Sequence, residues 1–211
     1  MPIYRNGAKI LLFVHIPKTG GSTIENTLKS EGIPQALHSR IRLGRAAVTP
    51  QHMHRQVIQG WIPEAFYDAA FCVVRNPYAR ISSEYKWQKQ ARNAKVSNFN
   101  TWVNNQFAKY QENEFVGDNH IRPQVDYVWD SLKVFHLEAG LGKPLEFAMV
   151  NLDLDPQRIS VDTIRNDGKT KHVKLDVTAQ TLQNIQTFYR QDFEKFGYDP
   201  EKNILENFQV S

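Results

Sequence analysis

Residues 10–28 of the chain read ILLFVHIPKTGGSTIENTL. The apolar run at residues 10–16 predicts a strand that is buried on both faces of a parallel sheet, and Pro17 closes it. The apolar spacing of residues 22–28 predicts a helix directly after the glycines, with the acidic Glu25 near its positively charged start. This stretch therefore predicts a strand, a loop and a helix in succession.

The same order recurs further along the chain. Residues 69–74, AAFCVV, predict a second buried strand, and Pro77 suits the first turn of the helix that follows it. The elements predicted downstream are an amphipathic helix over residues 99–110 whose aromatic residues belong to the core, a strand over 133–137, a helix over 144–150, and a last helix capped by Thr178 and ended by Gly197. This alternation predicts a three-layer, P-loop-like α/β fold with a central, mostly parallel sheet flanked by helices.

Composition limits the kind of protein. The 211 residues are 41% hydrophobic and 23% charged, which predicts a single globular domain over residues 1–211. The only cysteine, Cys72, excludes a disulfide within the chain and a multi-cysteine metal site, and fits a reducing compartment. The apolar run at residues 10–16 is too short to span a membrane. We therefore expect a cytoplasmic protein.

The loop at residues 17–23 carries the clearest sign of chemistry. Glycines let backbone N–H groups wrap an anion, the start of a helix adds positive potential, and Lys18 supplies a full charge. The predicted binding residues of this loop are Lys18, Thr19, Gly20, Gly21, Ser22 and Thr23. In the nucleotide triphosphatase loop the lysine follows the second glycine and precedes a magnesium-binding Ser or Thr, whereas here it precedes both glycines. We therefore expect an anion site that needs no metal.

A second anion site is predicted where the second strand ends. Arg75 can fork two oxygens of an anion, and Ser83 can reach the same anion if loop and helix fold back around it. Arg80, which lies between them in sequence, is expected to form a structural ion pair.

Two long stretches contain no acidic residue. Residues 32–63 carry four arginines, and residues 85–111 carry five basic residues, in a chain of net charge +4. Such stretches are either solvated faces or anion-binding surfaces, and the sequence leaves both open. Because Trp87 and Trp102 are interspersed among the basic residues, binding of nucleic acid or another polyanion is one alternative function.

Three segments resemble one known family: FVHIPKTGGST at residues 13–23, VRNPYARISSEY at 74–85 and DFEKFGY at 192–198. They are similar to the sulfotransferases that use 3′-phosphoadenosine 5′-phosphosulfate (PAPS), a family that includes heparan sulfate 2-O-sulfotransferase and bacterial carbohydrate sulfotransferases. The resemblance implies that the loop of Lys18 holds the 5′-phosphosulfate of PAPS. It also implies that Arg75 and Ser83 hold the 3′-phosphate of the same donor.

The resemblance also implies a general base. Relatives carry a histidine in a Q-H-x-T-A-like segment upstream of the second strand, and residues 51–55 here read QHMHR. This alignment favours His52, whose imidazole titrates near neutrality. His54 stands where relatives usually have threonine, and it remains the alternative base.

Two further segments match the family less closely. Residues 165–171, RNDGKTK, stand where relatives often have an asparagine-containing loop that helps cover the nucleotide. Lys169 is predicted to reach a phosphate there, with a solvated turn as the alternative. His120, Arg122 and Gln124, in the segment HIRPQ, resemble a recurrent family segment and are expected either to face the acceptor or to be structural.

We therefore expect a sulfotransferase that works by in-line displacement, with PAPS as donor and His52 as base. The expected acceptor is a hydroxyl of a saccharide, and the arginine-rich stretches favour an acidic one. Neither a nucleic-acid partner nor a membrane span is expected. The enzymatic alternative is a nucleotide-dependent kinase of P-loop-like fold.

Overall fold

The computed structural model describes residues 1–39, 41–42, 44–91, 96–159, 174–202 and 204–210. Its strands are β1 (Ile3–Asn6), β2 (Lys9–Val14), β3 (Gln35–Ala36), β4 (Ala69–Val74), β5 (Lys133–His136), β6 (Leu175–Val177) and β7 (Phe208–Val210). Its α-helices are α1 (Gly21–Ser30), α2 (Arg55–Trp61), α3 (Pro77–Ala91), α4 (Phe99–Glu112), α5 (Gly142–Asn151), α6 (Ala179–Phe188), α7 (Arg190–Phe196) and α8 (Ile204–Asn207).

Five strands form one sheet in the order β3-β1-β2-β4-β5. β2 pairs with β4, and β4 with β5, in parallel. β1 pairs antiparallel with both β2 and β3, so it alone runs against the other four strands. A mixed α/β fold with a mostly parallel central sheet is therefore confirmed, while the three-layer, P-loop-like assignment stays a prediction.

The chain forms two compact units, each built from two segments. The first unit comprises Met1–Val74 and Asp126–Gly168, and it contains the five-stranded sheet. Helices α1 and α5 pack on one face of this sheet, where their apolar side chains meet Leu11, Phe13, Phe71 and Val73. The side chains on the opposite face are buried as well: Leu12, Val14, Cys72 and Val74. The central strands are thus buried on both faces, as their unbroken apolar runs predict.

The second unit comprises Arg75–Val125 and Lys169–Ser211. Its helices α3, α4, α6 and α7 enclose an aromatic core, and β6 and β7 form a short parallel ribbon. The apolar face of α4 is buried in this core through Phe99, Trp102, Val103 and Phe107. The prediction that these aromatic residues belong to the core is confirmed.

The last predicted helix was wrong in one respect. Thr178 caps it, accepting a hydrogen bond from the Thr181 amide, and Gly197 ends the helical segment in a left-handed conformation, as predicted. Between them the segment is broken into α6 and α7 at Tyr189, whose backbone leaves the helical region with ψ of 19°. The buried Tyr189 hydroxyl donates to the carbonyl of Ile121 at 2.8 Å, a tertiary bond that local spacing does not reveal.

None of the helices in the described ranges is both long enough and apolar enough to cross a lipid bilayer.

Candidate functional site

The loop between β2 and α1 turns through two left-handed residues. Lys18 has φ of 68° and Gly20 has φ of 86°. The hydroxyl of Thr19 donates to the carbonyl of Ile16 at 2.8 Å, and its side chain is buried. This differs from the predicted role of the Thr19 hydroxyl as a ligand donor, because the bond locks the loop instead. The backbone N–H of Thr19 is the group that the prediction retains.

Both glycines of the loop are required by close packing. A Cβ on Gly20 would lie 3.0 Å from Leu137 Cδ1, in a backbone conformation that side chains rarely adopt. A Cβ on Gly21 would lie 2.5 Å from the Nε2 atom of His15. The start of α1 therefore rests directly on the imidazole of His15, and only glycine fits there.

The first turn of α1 presents polar groups. Gly20, the N-cap residue, contributes no side-chain cap, and the Thr23 amide donates to the Gly20 carbonyl at 3.0 Å, so the amides of Gly21 and Ser22 are the helix-start donors suited to an anion. Ser22 is exposed, and Thr23 and Lys18 are half-buried. Amides at a helix start, two hydroxyls and one ammonium group are a suitable donor set for an anion.

Beneath this loop lies a buried polar cluster that the sequence did not predict. The Glu25 carboxylate, which is 1% exposed, contacts His15 Nδ1 at 2.5 Å and His38 Nε2 at 3.0 Å. Gln51 Nε2 donates to both Glu25 oxygens, at 2.9 and 2.8 Å. Glu25 therefore joins three segments of the first unit, and it is not the first-turn dipole partner that its position in the sequence predicted.

The hydrogen bonds keep Glu25 ionised. Burial by itself raises the pKa of this carboxyl group, but the hydrogen bond and charge of His15, the bond from Gln51 and the charge of His38 together lower the pKa to about 2. A carboxylate that accepts several hydrogen bonds retains its charge even when it is buried. The site thus contains a fixed negative charge one helical turn from the anion loop.

The two candidate bases lie in different surroundings. His52 ends the short 3₁₀ helix Pro50–His52 and is half-buried; its ring lies edge-on to that of His15, with centroids 5.3 Å apart. Its Nδ1 atom lies 3.5 Å from the Thr49 hydroxyl. His54 is 2% exposed, and its ring faces Tyr127. His52 is thus the more accessible of the two, and it shares the first unit with Lys18.

In the second unit, a chain of hydrogen bonds fixes the backbone of Arg75. The Gln124 amide group accepts from the Arg75 N–H at 2.9 Å and donates to the Arg75 carbonyl at 2.8 Å. The Asp192 carboxylate in turn accepts from the backbone N–H groups of Gln124 and Val125, both at 2.9 Å. Gln124 is fully buried, so of the two roles expected for it the structural one is observed.

The Asp192 side chain is fully buried. Burial raises the pKa of its carboxyl group to about 6, although the charge of Arg80 and the bonds from Gln124 and Val125 act in the opposite direction. Arg80 is 2% exposed and donates to the carbonyl of His120 at 3.0 Å. Its charge therefore acts inside the fold, while the structural ion pair expected for it stays a prediction.

Arg75 and Ser83 are both half-buried, and a third polar residue joins them. Burial and the nearby charge of Arg75 lower the pKa of Lys86, which lies three residues after Ser83 on α3. Asn76 caps this helix by accepting from the Tyr78 amide at 2.9 Å. Two cations close enough to repel each other favour a bound anion, and Lys86 is a candidate that sequence reasoning counted only as part of a basic stretch.

The HIRPQ segment is held mainly by protein groups. His120 Nδ1 lies 2.7 Å from a Glu84 carboxylate oxygen, and Arg122 pairs with Glu114 at 2.8 Å. Arg122 is 3% exposed. Lys169 and the rest of the predicted loop at residues 165–171 lie outside the described residues, so their assignment remains a prediction.

Comparison with protein families identifies a match over nearly the whole chain. A family model described as "Sulfotransferase family" matches residues 2–199, a range that contains all three motifs and both predicted anion sites. No curated protein and no solved structure matches the chain at a significant level.

Proposed function

Because the chain belongs to the sulfotransferase family, we propose that it moves a sulfuryl group from PAPS to a hydroxyl of a carbohydrate acceptor. Members of the family generally use PAPS as donor. The observation that carries the proposal is the loop before α1, which places Lys18, the hydroxyls of Ser22 and Thr23 and the first amides of the helix within six residues. This donor set suits the 5′-phosphosulfate, whose transfer leaves a negatively charged phosphate behind.

The reaction is an in-line displacement. The acceptor oxygen attacks sulfur, the bond from sulfur to the bridging oxygen breaks, and adenosine 3′,5′-bisphosphate leaves with the electron pair. Lys18 neutralises the charge that develops on the bridging oxygen, while the loop amides bind the phosphate oxygens. Donors fixed in advance around developing charge are worth about 3 kcal/mol each in comparable sites.

His52 is the proposed general base and takes the proton of the acceptor hydroxyl. Its greater exposure supports this role over His54, whose ring is buried against Tyr127. A general base must lie within hydrogen-bonding reach of the proton that it removes. A half-buried imidazole meets that requirement more readily than one enclosed by protein.

The 3′-phosphate is assigned to Arg75 and Ser83, with Lys86 as an added cation. The support is the well-fixed backbone of Arg75 and the mutual proximity of the two positive charges. Lys169 is retained as a further phosphate ligand. No step of the proposed reaction calls for a metal ion.

A saccharide is the proposed acceptor, and the arginine-rich stretch at residues 32–63 favours an acidic one. Purified protein is incubated with PAPS labelled in its sulfur and with separate acidic saccharides, neutral saccharides, a lipid-linked saccharide and a small hydroxyl metabolite. We expect label in the acidic saccharides. Label only in the small metabolite overturns the carbohydrate assignment, and label in no acceptor overturns sulfuryl transfer.

The base is tested in the same assay with His52→Ala and His54→Ala. Loss of a general base costs on the order of a hundredfold to ten-thousandfold in rate, so His52→Ala is expected to lose turnover with its affinity for adenosine 3′,5′-bisphosphate unchanged. His54→Ala is expected to retain most of its turnover per folded molecule, although it loses thermal stability because the side chain is buried. The opposite pattern of rates would move the base to His54.

A further inference from the structure

Over the residues that the structure describes, the segment that carries His52 is mostly irregular. Regular elements near it are the two-residue β3, the three-residue 3₁₀ helix Pro50–His52 and α2, which begins at Arg55. Within the described residues, backbone bonds join this 3₁₀ helix to distant parts of the chain at two places: Gln51 N–H donates to the Ser39 carbonyl at 3.4 Å, and the Met1 amino group donates to the Pro50 carbonyl. A catalytic group on such a segment needs side-chain anchors if it is to be held in place.

Gln51 supplies such an anchor directly beside His52. Its side chain is 2% exposed, and its amide group bonds both oxygens of Glu25 and lies 3.1 Å from His15 Nδ1. Glu25 belongs to α1, the helix whose first turn forms part of the anion loop. The same carboxylate holds His15, against which both Gly21 and the His52 ring are packed.

We infer that Glu25 is a positioning residue for transfer, acting through Gln51 and His15 to fix the His52 imidazole relative to the loop of Lys18. The inference rests on the proposed function and assigns no contact between Glu25 and substrate. A buried carboxylate bonded to three separate segments is costly to desolvate, and a purely structural link between them does not require a charge. The charge of Glu25 does orient the His15 imidazole, whose ring the His52 ring contacts edge-on.

The test is a mutant cycle between Gln51 and His52. Gln51→Leu removes the anchor of the His52 segment but leaves the bonds of Glu25 to His15 and His38. Misplacing a reacting group by about 1 Å costs up to roughly a hundredfold in rate. We therefore expect Gln51→Leu to lower kcat by tenfold to a hundredfold, with an unchanged Kd for adenosine 3′,5′-bisphosphate. In the His52→Ala background the same substitution should lower kcat no further.

Two more variants complete the design. Glu25→Gln keeps the size of the side chain and removes its charge, so it should lower kcat at least as much as Gln51→Leu. Gln180→Leu makes the same exchange at an exposed glutamine of α6 and is the matched control, with wild-type kcat and Kd. Thermal midpoints are measured for all variants, so that a lower kcat is not confused with a smaller folded fraction.

The outcomes separate this inference from the proposed function. Wild-type kcat in Gln51→Leu, or an equal fold loss with and without His52, overturns the inference while transfer itself stands. Absence of transfer by the wild type overturns the proposed function and the catalytic part of the inference together. Amide hydrogen exchange then still tests whether Gln51 anchors the segment. Anchoring predicts faster exchange at residues 51 and 52 in Gln51→Leu and no change there in Gln180→Leu.

Discussion

At the scale of single residues, Lys18 combines an unusual backbone with the central role proposed for it in transfer. It occupies the left-handed region with φ of 68°, where residues other than glycine are uncommon. The turn after Lys18 is held by the hydrogen bond of the buried Thr19 hydroxyl and by the close packing at Gly20. Conformational strain of this kind persists where the surrounding structure fixes it, and it often accompanies function.

Lys18→Ala is expected to fold normally and to lose transfer. The lysine charge acts mainly on negative charge that develops in the transition state, so kcat should fall by about a hundredfold or more. Turnover at saturating PAPS and the thermal midpoint are measured together. Lys29→Ala, which removes an exposed lysine from the last turn of α1, is the matched control. Near-wild-type turnover of Lys18→Ala would remove this residue from the mechanism.

Gly21→Ala is expected to destabilise the protein. The added methyl group would lie 2.5 Å from the His15 ring, and that ring is held in place by Glu25. Overpacking of this kind costs about 1–3 kcal/mol in the free energy of unfolding. Gly60→Ala is the control, because Gly60 lies in α2 with open space around it, and alanine should stabilise the helix by about 0.5–1 kcal/mol. Equal effects of the two substitutions on denaturant unfolding would contradict this account of the loop.

Residue types alone predicted the anion loop but not the cluster beneath it. Glycines, a lysine and hydroxyls lie within seven consecutive residues, so their chemistry is visible locally. The partners of Glu25 come from three segments, at His15, His38 and Gln51. No spacing within one element links them, because only the folded chain brings them together.

At the scale of elements, the long apolar strands and most helices were predicted within a few residues of their ends. β4 (Ala69–Val74) agrees fully, and β2 and α1 differ only at their ends. The hairpin of β1 and β2 was missed, although Asn6 and Gly7 are a typical turn signal and Gly7 has a positive φ. β1 has only four residues and β3 only two, so neither carries a periodic pattern long enough to be recognised.

Three motifs that are far apart in the sequence are joined by one chain of hydrogen bonds in the second unit. Asp192 of α7 holds the backbone around Gln124, and Gln124 accepts from the N–H and donates to the carbonyl of Arg75, which directly follows β4. The closing DFEKFGY motif therefore supports the VRNPYARISSEY motif through the HIRPQ segment. This explains why buried polar groups are found in a segment that was also expected to face the acceptor.

The pH dependence of stability tests the buried Asp192. Its pKa is about 6 in the folded protein and 3.8 when unperturbed. Because the folded pKa is the higher one, the stabilising contribution is fully present below pH 3.8 and is lost as the pH rises through 6. The free energy of unfolding of the wild type, relative to Asp192→Asn, should fall by up to ~3 kcal/mol between pH 4 and pH 7.

The pKa of Glu25 is lowered, so its contribution to the free energy of unfolding is lost as the pH falls below 4.5. Because Glu25 is present in both the wild type and Asp192→Asn, this contribution cancels in the difference between them. Urea unfolding at each pH measures the two curves. A difference in the free energy of unfolding that stays constant from pH 4 to pH 7 would mean that burial does not raise the pKa of Asp192.

At the scale of the whole molecule, two units each carry one predicted anion site. The first unit contributes the loop of Lys18, and the second contributes Arg75, Ser83 and Lys86. A donor with phosphate groups at both its 5′ and 3′ positions requires two such sites. ATP carries phosphates only at its 5′ position and therefore does not require a 3′-phosphate site. The central claim of the proposed function is that the chain binds an adenosine nucleotide through both phosphates.

Titration calorimetry with four ligands tests that claim most directly: adenosine 3′,5′-bisphosphate, adenosine 5′-phosphate, ATP and a single-stranded oligonucleotide. We predict that the wild type binds the bisphosphate far more tightly than the other three, and that Arg75→Ala weakens binding of the bisphosphate while scarcely changing that of the 5′-phosphate. Binding of ATP or the oligonucleotide as tight as that of the bisphosphate, or an equal loss for both adenosine phosphates in Arg75→Ala, would contradict the account.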